Sequence, residues 1–491
     1  MRRRAVLAVL AAGLFWVPPG QAQTRAPFDV RPFAPVPNPP GLPEGIAVEN
    51  DGTVYVSTNP GGQNPGPQFG ARSKVFAYGP DGDLRREYVL DGQDLTAAAL
   101  PAYGNQAIAL DREGIVYVGD KVPARIIRLD PRTGAQRDYV TFPDLRPCGL
   151  AGAVAGNCSA TATDLRPQPD YLSFASDGSL YVTDFQQATI WRVPPGGGRA
   201  EIAFTDFRLD GGMGPNGSQI LADGRTLMFV QSVNPPGTGT PGAGRLYTLH
   251  IGDDGGLSDL RLFYETLPGD VPDGFAVGRS GTVYLNIAQQ MTVVSPTGSE
   301  VRRVPATQVE NQAQAIPFDN PASAAFSGDR LLVTNQALIT RDPAHFAILD
   351  VNVGEPGLPL FRPSETGATA TPAPAPARIL PRPRPRLRIS VSPRSDRRGP
   401  RRFTTAGRLI APEGLSSRAA CNGRVFVDVK AGRNTISTRH ATVRANCSFR
   451  SSVTLRLARR FGNRRRLSLR VRFAGNPALL SQTANTTVRV R

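Results

Sequence analysis

Glu44, Gln106, Asp170, Asn216 and Asp273 carry side-chain oxygens, and each stands at the same point of a phrase repeated along this 491-residue chain. Each opens a short run rich in small and apolar residues. The run leads through Asp-Gly or a relative to a second run that often ends Tyr-Val, as in Val54-Tyr55-Val56, Val116-Tyr117-Val118 and Leu180-Tyr181-Val182. Oxygen donors from several such units, without sulfur or imidazole, suit a hard cation, Ca²⁺ before Mg²⁺ or Zn²⁺. The carboxylates supply charge, while the Asn216 and Gln106 carbonyls offer neutral ligation or substrate contacts. The same residue types also satisfy turn backbone groups, and Asp-Gly is ordinary hairpin chemistry. Glu44 is the one that turn chemistry explains least, because Glu is not a favoured turn residue.

The elements that must position these residues follow from the repeat. Its phases fall at 44, 106, 170, 216, 273 and 322. Further apolar runs, such as Lys74–Tyr78 and Arg125–Leu129, lie between the phases, so each unit holds about four strands, the content of a propeller blade. The reading is an all-β chain with a six-bladed β-propeller over residues 23–359. The phase residues then converge at one mouth of the central channel. The Tyr-Val strand ends supply contacts between blades, and Phe28–Phe33 is expected to close the ring as the outer strand of the last blade.

Residues 360–385 read as a Pro/Arg-rich spacer, semi-rigid because of Pro372, Pro374, Pro376, Pro381, Pro383 and Pro385. Period-two alternation resumes in 386–491, for example in Arg424-Val425-Phe426-Val427 and Leu467-Ser468-Leu469-Arg470-Val471. About a hundred residues of such strands with one cysteine pair suggest an immunoglobulin-like β-sandwich. From Arg378 onward there are 28 Arg/Lys and 3 Asp/Glu, whereas the rest of the chain is net acidic. Only three lysines occur in the whole chain, Lys74, Lys121 and Lys430.

Residues 1–22 read as a signal peptide: Arg2–Arg4, an apolar stretch to Val17, then Gly20-Gln21-Ala22. The four cysteines fit an oxidising compartment, paired locally as Cys148 with Cys158 and Cys421 with Cys447. The expectation is a secreted or cell-wall-associated protein, a monomer, with no transmembrane segment.

Pro43-Glu44-Gly45, Pro215-Asn216-Gly217 and Pro272-Asp273-Gly274 give the propeller a resemblance to the calcium-dependent gluconolactonase/regucalcin (senescence marker protein) family. The resemblance covers the propeller only. It implies metal ligation by a Glu of blade one, an Asn of blade four and an Asp of blade five, here Glu44, Asn216 and Asp273. It also implies hydrolysis of a lactone or related ester, with Asp273 as general base or water-orienting ligand. Asp170 and Gln106 are the candidate substrate contacts. The family's Arg-x-Asn-Asp of blade three is replaced by Gln168-Pro169-Asp170-Tyr171, which removes a cation suited to sugar-acid lactones.

His250, His345 and His440 fall outside the phase positions and read as structural or solvent-exposed. The Phe142–Gln168 stretch, which contains Cys148 and Cys158, reads as a rim or lid at the cavity mouth, or as a stapled surface loop. The basic module suits anionic wall polymers or other polyanions, with docking onto the acidic propeller or mere solubilisation as the alternatives. A rival reading for the whole molecule is a non-catalytic propeller of the NHL type that binds a ligand or a cell-surface polymer.

Overall fold

The computed structural model describes residues 25–61, 68–211, 213–235, 240–364, 384–396, 401–411, 420–432, 434–455, 465–476 and 479–490. The expected leader and most of the expected spacer lie outside these residues. The chain divides between Thr371 and Pro372 into two compact units, and each is described by itself.

The first unit is a six-bladed β-propeller. Its inner strands are Pro43–Val48, Asn105–Leu110, Pro169–Phe174, Pro215–Ile220, Phe275–Val277 and Pro321–Ser327. Each inner strand contacts the next, and the sixth contacts the first, so the six form a closed ring about an axis. From each of them an antiparallel sheet of four strands runs outward, and blade two gains a short parallel strand, Gly198–Arg199. The outer strand of blade six is Val30–Pro35, which pairs antiparallel with Ala347–Asn352. The expected closure is therefore present, two residues later than the sequence placed it.

Strand alternation explains why the blades pack. On the second strand of blade one, Val54 and Val56 join a cluster with Leu332 and Ile348 of blade six, while Tyr55 joins Ile108 and Val118 of blade two. Tyr117, Tyr181 and Tyr284 repeat the pattern, each pointing to the following blade. Period-two side-chain direction thus gives every blade two apolar faces, and a ring buries both. Six interblade clusters result.

Leu360–Ser364, which composition places in the spacer, lies instead on the propeller. Arg362 bonds Glu49 Oε1 at 3.0 Å, and the Pro363 carbonyl accepts from Arg112 N at 2.9 Å. The chain thus straps the far end of the channel after its last blade strand.

The second unit is a two-sheet sandwich. One sheet has the order Arg386–Ser392, Arg401–Ile410, Ser448–Leu455. The other has the order Ser395–Asp396, Gln482–Val490, Arg466–Phe473, Arg424–Ala431, Asn434–Thr442. A single core containing Phe403, Val427, Phe449, Leu469 and Phe473 lies between them. Both disulfides form as paired above, Cys148–Cys158 in the propeller and Cys421–Cys447 in the sandwich. No described helix is long and apolar enough to cross a membrane.

Candidate functional site

The inner strands do not simply end at the channel; most begin there with an irregularity. Register shifts fall between Pro43 and Ile46, Asn105 and Ile108, Pro169 and Leu172, and Pro215 and Ser218. Glu44, Gln106, Asp170 and Asn216 sit inside these bulges, which re-aim side chains and interrupt the ladder. Hydroxyl groups on the second strands replace the lost bonds. Ser57 Oγ accepts from Gly45 N at 2.8 Å and donates to the Gln106 carbonyl at 2.5 Å. Thr334 Oγ1 accepts from Ser323 N at 2.9 Å and donates to the Glu44 carbonyl at 2.6 Å. Each of these hydroxyls therefore ties its own blade to the phase residue of the next.

Five side chains read from the sequence as one set are brought around the axis. Gln336 Nε2 and Asn59 Nδ2 both donate to Glu44 Oε2. Asn59 Nδ2 also reaches Gln106 Oε1 at 3.1 Å, and Gln106 Nε2 donates to Asp170 Oδ1 at 2.7 Å. A polar chain thus runs from blade six through blades one and two to blade three. Asn216 donates to Ser232 Oγ at 3.1 Å and lies beside Asp273. Asp273 keeps some exposed surface, yet its Oδ1 is sealed from solvent.

Three acceptor oxygens from consecutive blades, Asp170 Oδ2, Asn216 Oδ1 and Asp273 Oδ1, are buried without a hydrogen-bond donor. Buried acceptors without donors are rare and costly. Burial, reinforced by the charge of Glu44, pushes the carboxyls of Asp170 and Asp273 well above the usual range. Burial raises Glu44 as well. Three carboxylates that sense one another in a poorly hydrated site favour neutral forms unless a cation joins them.

One cation is built in. Lys121, at 2% exposure, directly follows the second strand of blade two, Val116–Asp120, and donates to Asn59 Oδ1 at 2.8 Å. Its neighbours include Glu44 and Asp170, whose charges favour the ammonium, but burial outweighs them and lowers its pKa. Sequence reasoning missed Lys121, although it is one of only three lysines in an arginine-rich chain. A lysine kept where arginine is the habitual cation marks a need for a compact charge.

Tyr171 was missed as well. It follows Asp170 on blade three, and its hydroxyl lies 2.5 Å from Ser323 Oγ of blade six. It therefore spans the channel between opposite blades as a floor beneath the charged set. The repeat contained the signal: the residues after the other phases are Gly45, Ala107, Gly217, Gly274 and Ser323, all small. Gly274 leaves room for the ring, since a Cβ there would fall on the Tyr171 hydroxyl. Gly217 is forced differently, because a Cβ would lie 2.6 Å from the Asp273 carbonyl oxygen.

Below Tyr171 lies a cavity of 680 Å³, walled by inner-strand residues such as Ile108, Phe174, Ile220 and Val277 and by Phe361 of the strap. This space is lined by the later residues of the inner strands, at the opposite end of the channel from Glu44 and Asp273, so this cavity and the candidate chemistry do not coincide. Among the described residues, no three His, Cys, Asp or Glu side chains form a group that could hold a metal ion. A cation here would depend on the Asn216 amide together with carboxylates.

The histidines stay off the axis. His345 Nδ1 lies 3.0 Å from Asp319 Oδ2, and His250 and His440 are exposed on strands. The Cys148–Cys158 loop contacts the periphery of blade three, with Ala160 N bonded to Thr205 Oγ1 and Ala162 N to Asp210 Oδ2.

No protein-family model matches the chain, and no curated protein matches it either. Similar solved structures include a gluconolactonase from Xanthomonas campestris, at 20% identity and TM-score 0.41 over 65% of this chain and 86% of that one. The calcium-binding protein regucalcin from Agrobacterium tumefaciens is similar at 18% identity and TM-score 0.44, over 69% and 97%. Virginiamycin B lyase from Staphylococcus aureus is similar at 17% identity and TM-score 0.41, over 66% and 99%.

Proposed function

We propose that the propeller is a divalent-cation-dependent hydrolase of lactones or related esters. The observation that carries this reading is the trio of buried, donorless oxygens on Asp170, Asn216 and Asp273, beside the Glu44 carboxylate. Charge supports it: three carboxylates against the single Lys121 ammonium leave a deficit that one divalent cation cancels. Glu44, Asn216 and Asp273 would hold the ion, and their hard oxygen donors favour Ca²⁺. When bound, such an ion polarises a carbonyl and lowers the pKa of a water.

The chain's own residues would do the rest. Lys121 fixes the Asn59 amide so that its Nδ2 faces Glu44 and Gln106. Gln106 and Asp170 would meet polar groups of a substrate. Asp273, whose residue keeps some exposed surface, would take a proton from an attacking water. Tyr171 keeps the site apart from the lower cavity.

The test is a calorimetric calcium titration of the protein and its Glu44→Gln and Asp273→Asn variants, followed by assay against lactones and aryl esters. The expected result is a site lost in both variants, weakened by roughly a hundredfold or more, about 2.7 kcal/mol, with turnover lost alongside. Absence of binding for calcium, magnesium and zinc alike would sink the reading. A second reading, a non-catalytic ligand-binding propeller, is favoured by the 680 Å³ cavity lying away from the charged set. Calcium-independent ligand binding that a bulky residue in that cavity abolishes would support it.

The sandwich reads best as immunoglobulin-like. Its sheets divide eight described strands in a Greek-key order, with the short Ser395–Asp396 strand parallel to the Gln482–Val490 strand. The two disulfides and the leader-like composition of residues 1–22 support the reading of an exported protein.

A further inference from the structure

The sandwich carries electrostatic strain on its surface. Inward residues of the five-stranded sheet, such as Val425, Val427, Leu467, Leu469 and Val488, fill the core. Their neighbours must therefore face out, and these include Arg424, Lys430, Arg466, Arg470, Arg472 and Arg489. Arg466 stands directly opposite Arg489. On the other sheet, Arg388 stands directly opposite Arg408. All four are exposed, and among the described residues none of them makes an ion pair. Like charges facing one another across a strand pair destabilise a sheet. The described acids of the module are Asp396 and Asp428, and neither stands opposite one of these four.

We infer that the outer face of the five-stranded sheet binds a linear acidic polysaccharide carrying carboxylates, with the Arg466–Arg489 pair at its centre. Repulsion tolerated in the free protein is relieved when anions sit between the guanidinium groups, whose forked donors match carboxylate geometry. Along the Arg466–Phe473 strand, same-face residues recur about every 6.8 Å, so Arg466, Ser468, Arg470 and Arg472 share one row, in which Asp428 of the neighbouring strand faces Arg470 and leaves Arg466 and Arg472 for an extended chain of charges to meet. Nucleic acid fits less well. Five strands are about 19 Å across at the usual strand spacing, wider than the roughly 12 Å major groove. Phe426 on this face is already covered by the Arg472 guanidinium at 4.7 Å, which among the described residues leaves the lone His440 imidazole opposite it as a ring for base stacking.

The experiment uses the full chain and fluorescently labelled oligogalacturonate, with oligo-dT and neutral dextran as comparison probes, at several salt concentrations. The variants are the double changes Arg466→Gln with Arg489→Gln and, on the opposite sheet, Arg388→Gln with Arg408→Gln. Thermal unfolding of each variant is followed in parallel. The inference expects salt-sensitive binding of oligogalacturonate, weakened about tenfold by the first pair and little by the second, while each pair raises the melting temperature. A higher melting temperature with unchanged binding would overturn it. So would absence of binding at low salt, equal loss from both pairs, or tighter binding of oligo-dT. A lower melting temperature in both variants would also count against it, because the strain from which it starts would not exist.

Discussion

At the scale of single residues, the chemistry rests on which charges share a small volume. Glu44, Asp170 and Asp273 were legible because their phase within the repeat exposed them. Lys121 was not, because it belongs to the end of a second strand, where the repeat has no fixed residue type. Its effect is separable from that of the carboxylates. Lys121→Met removes a positive charge that competes with an incoming cation for Glu44 and Asp170. Calcium should then bind roughly tenfold tighter, about 1.4 kcal/mol, as read by calorimetry. Weaker binding in that variant would show instead that Lys121 earns its place by orienting Asn59.

At the scale of elements, strands and their facing were readable because Val, Ile, Tyr and Leu alternate with a period of two. What sequence reading missed was how the inner strands are bent toward the axis. That bending depends on bulges held by Ser57, Thr183 and Thr334, hydroxyl residues directly after the apolar run of a second strand. Their contribution is a hydrogen bond to the backbone of an inner strand, and no periodicity in the sequence reports such a bond. Gly217 offers a direct check of how tightly these strands approach. Gly217→Ala would set a Cβ against the backbone of Asp273 and Gly274, atoms that cannot rotate away. The expected cost is about 1–3 kcal/mol, as for other overpacked sites, measured by thermal unfolding, with calcium affinity falling because Asn216 and Asp273 move apart. An unchanged melting temperature would mean the ring has slack at this point.

For the whole molecule, the raised carboxyl groups make a prediction about pH. In the unfolded chain a carboxyl titrates near 4, whereas burial lifts Glu44 in the folded protein to about 7 and lifts Asp170 and Asp273 as well. Between those values the folded state holds more protons than the unfolded one, so stability falls as pH rises. The depressed Lys121 has its slope at higher pH and does not cancel this. In chelator, the propeller's melting temperature should therefore drop from pH 5 to pH 8, and added calcium should restore it most at pH 8. A melting temperature that rises over this window in chelator would mean that the three carboxylates are already ionised and paired. The division into an acidic propeller and a basic sandwich was visible from composition. The strap was not, because Leu360–Ser364 reads as linker until its bonds to Glu49 and Arg112 are seen.

The strand that closes the ring carries a consequence for how the molecule is made. Val30 pairs with Val351, so the first piece of propeller to leave the ribosome is among the last to find its partner. Until blade six exists, Val30–Pro35 has no sheet to join, and the nascent arc ends in apolar surface that only the returning blade can cover. Contacts this distant in the chain are slow to form. A chain interrupted before Pro321 would keep four of the six hydrophobic seams and an open arc. The same latch makes the finished ring hard to unzip, because neither terminal blade can peel away without the other.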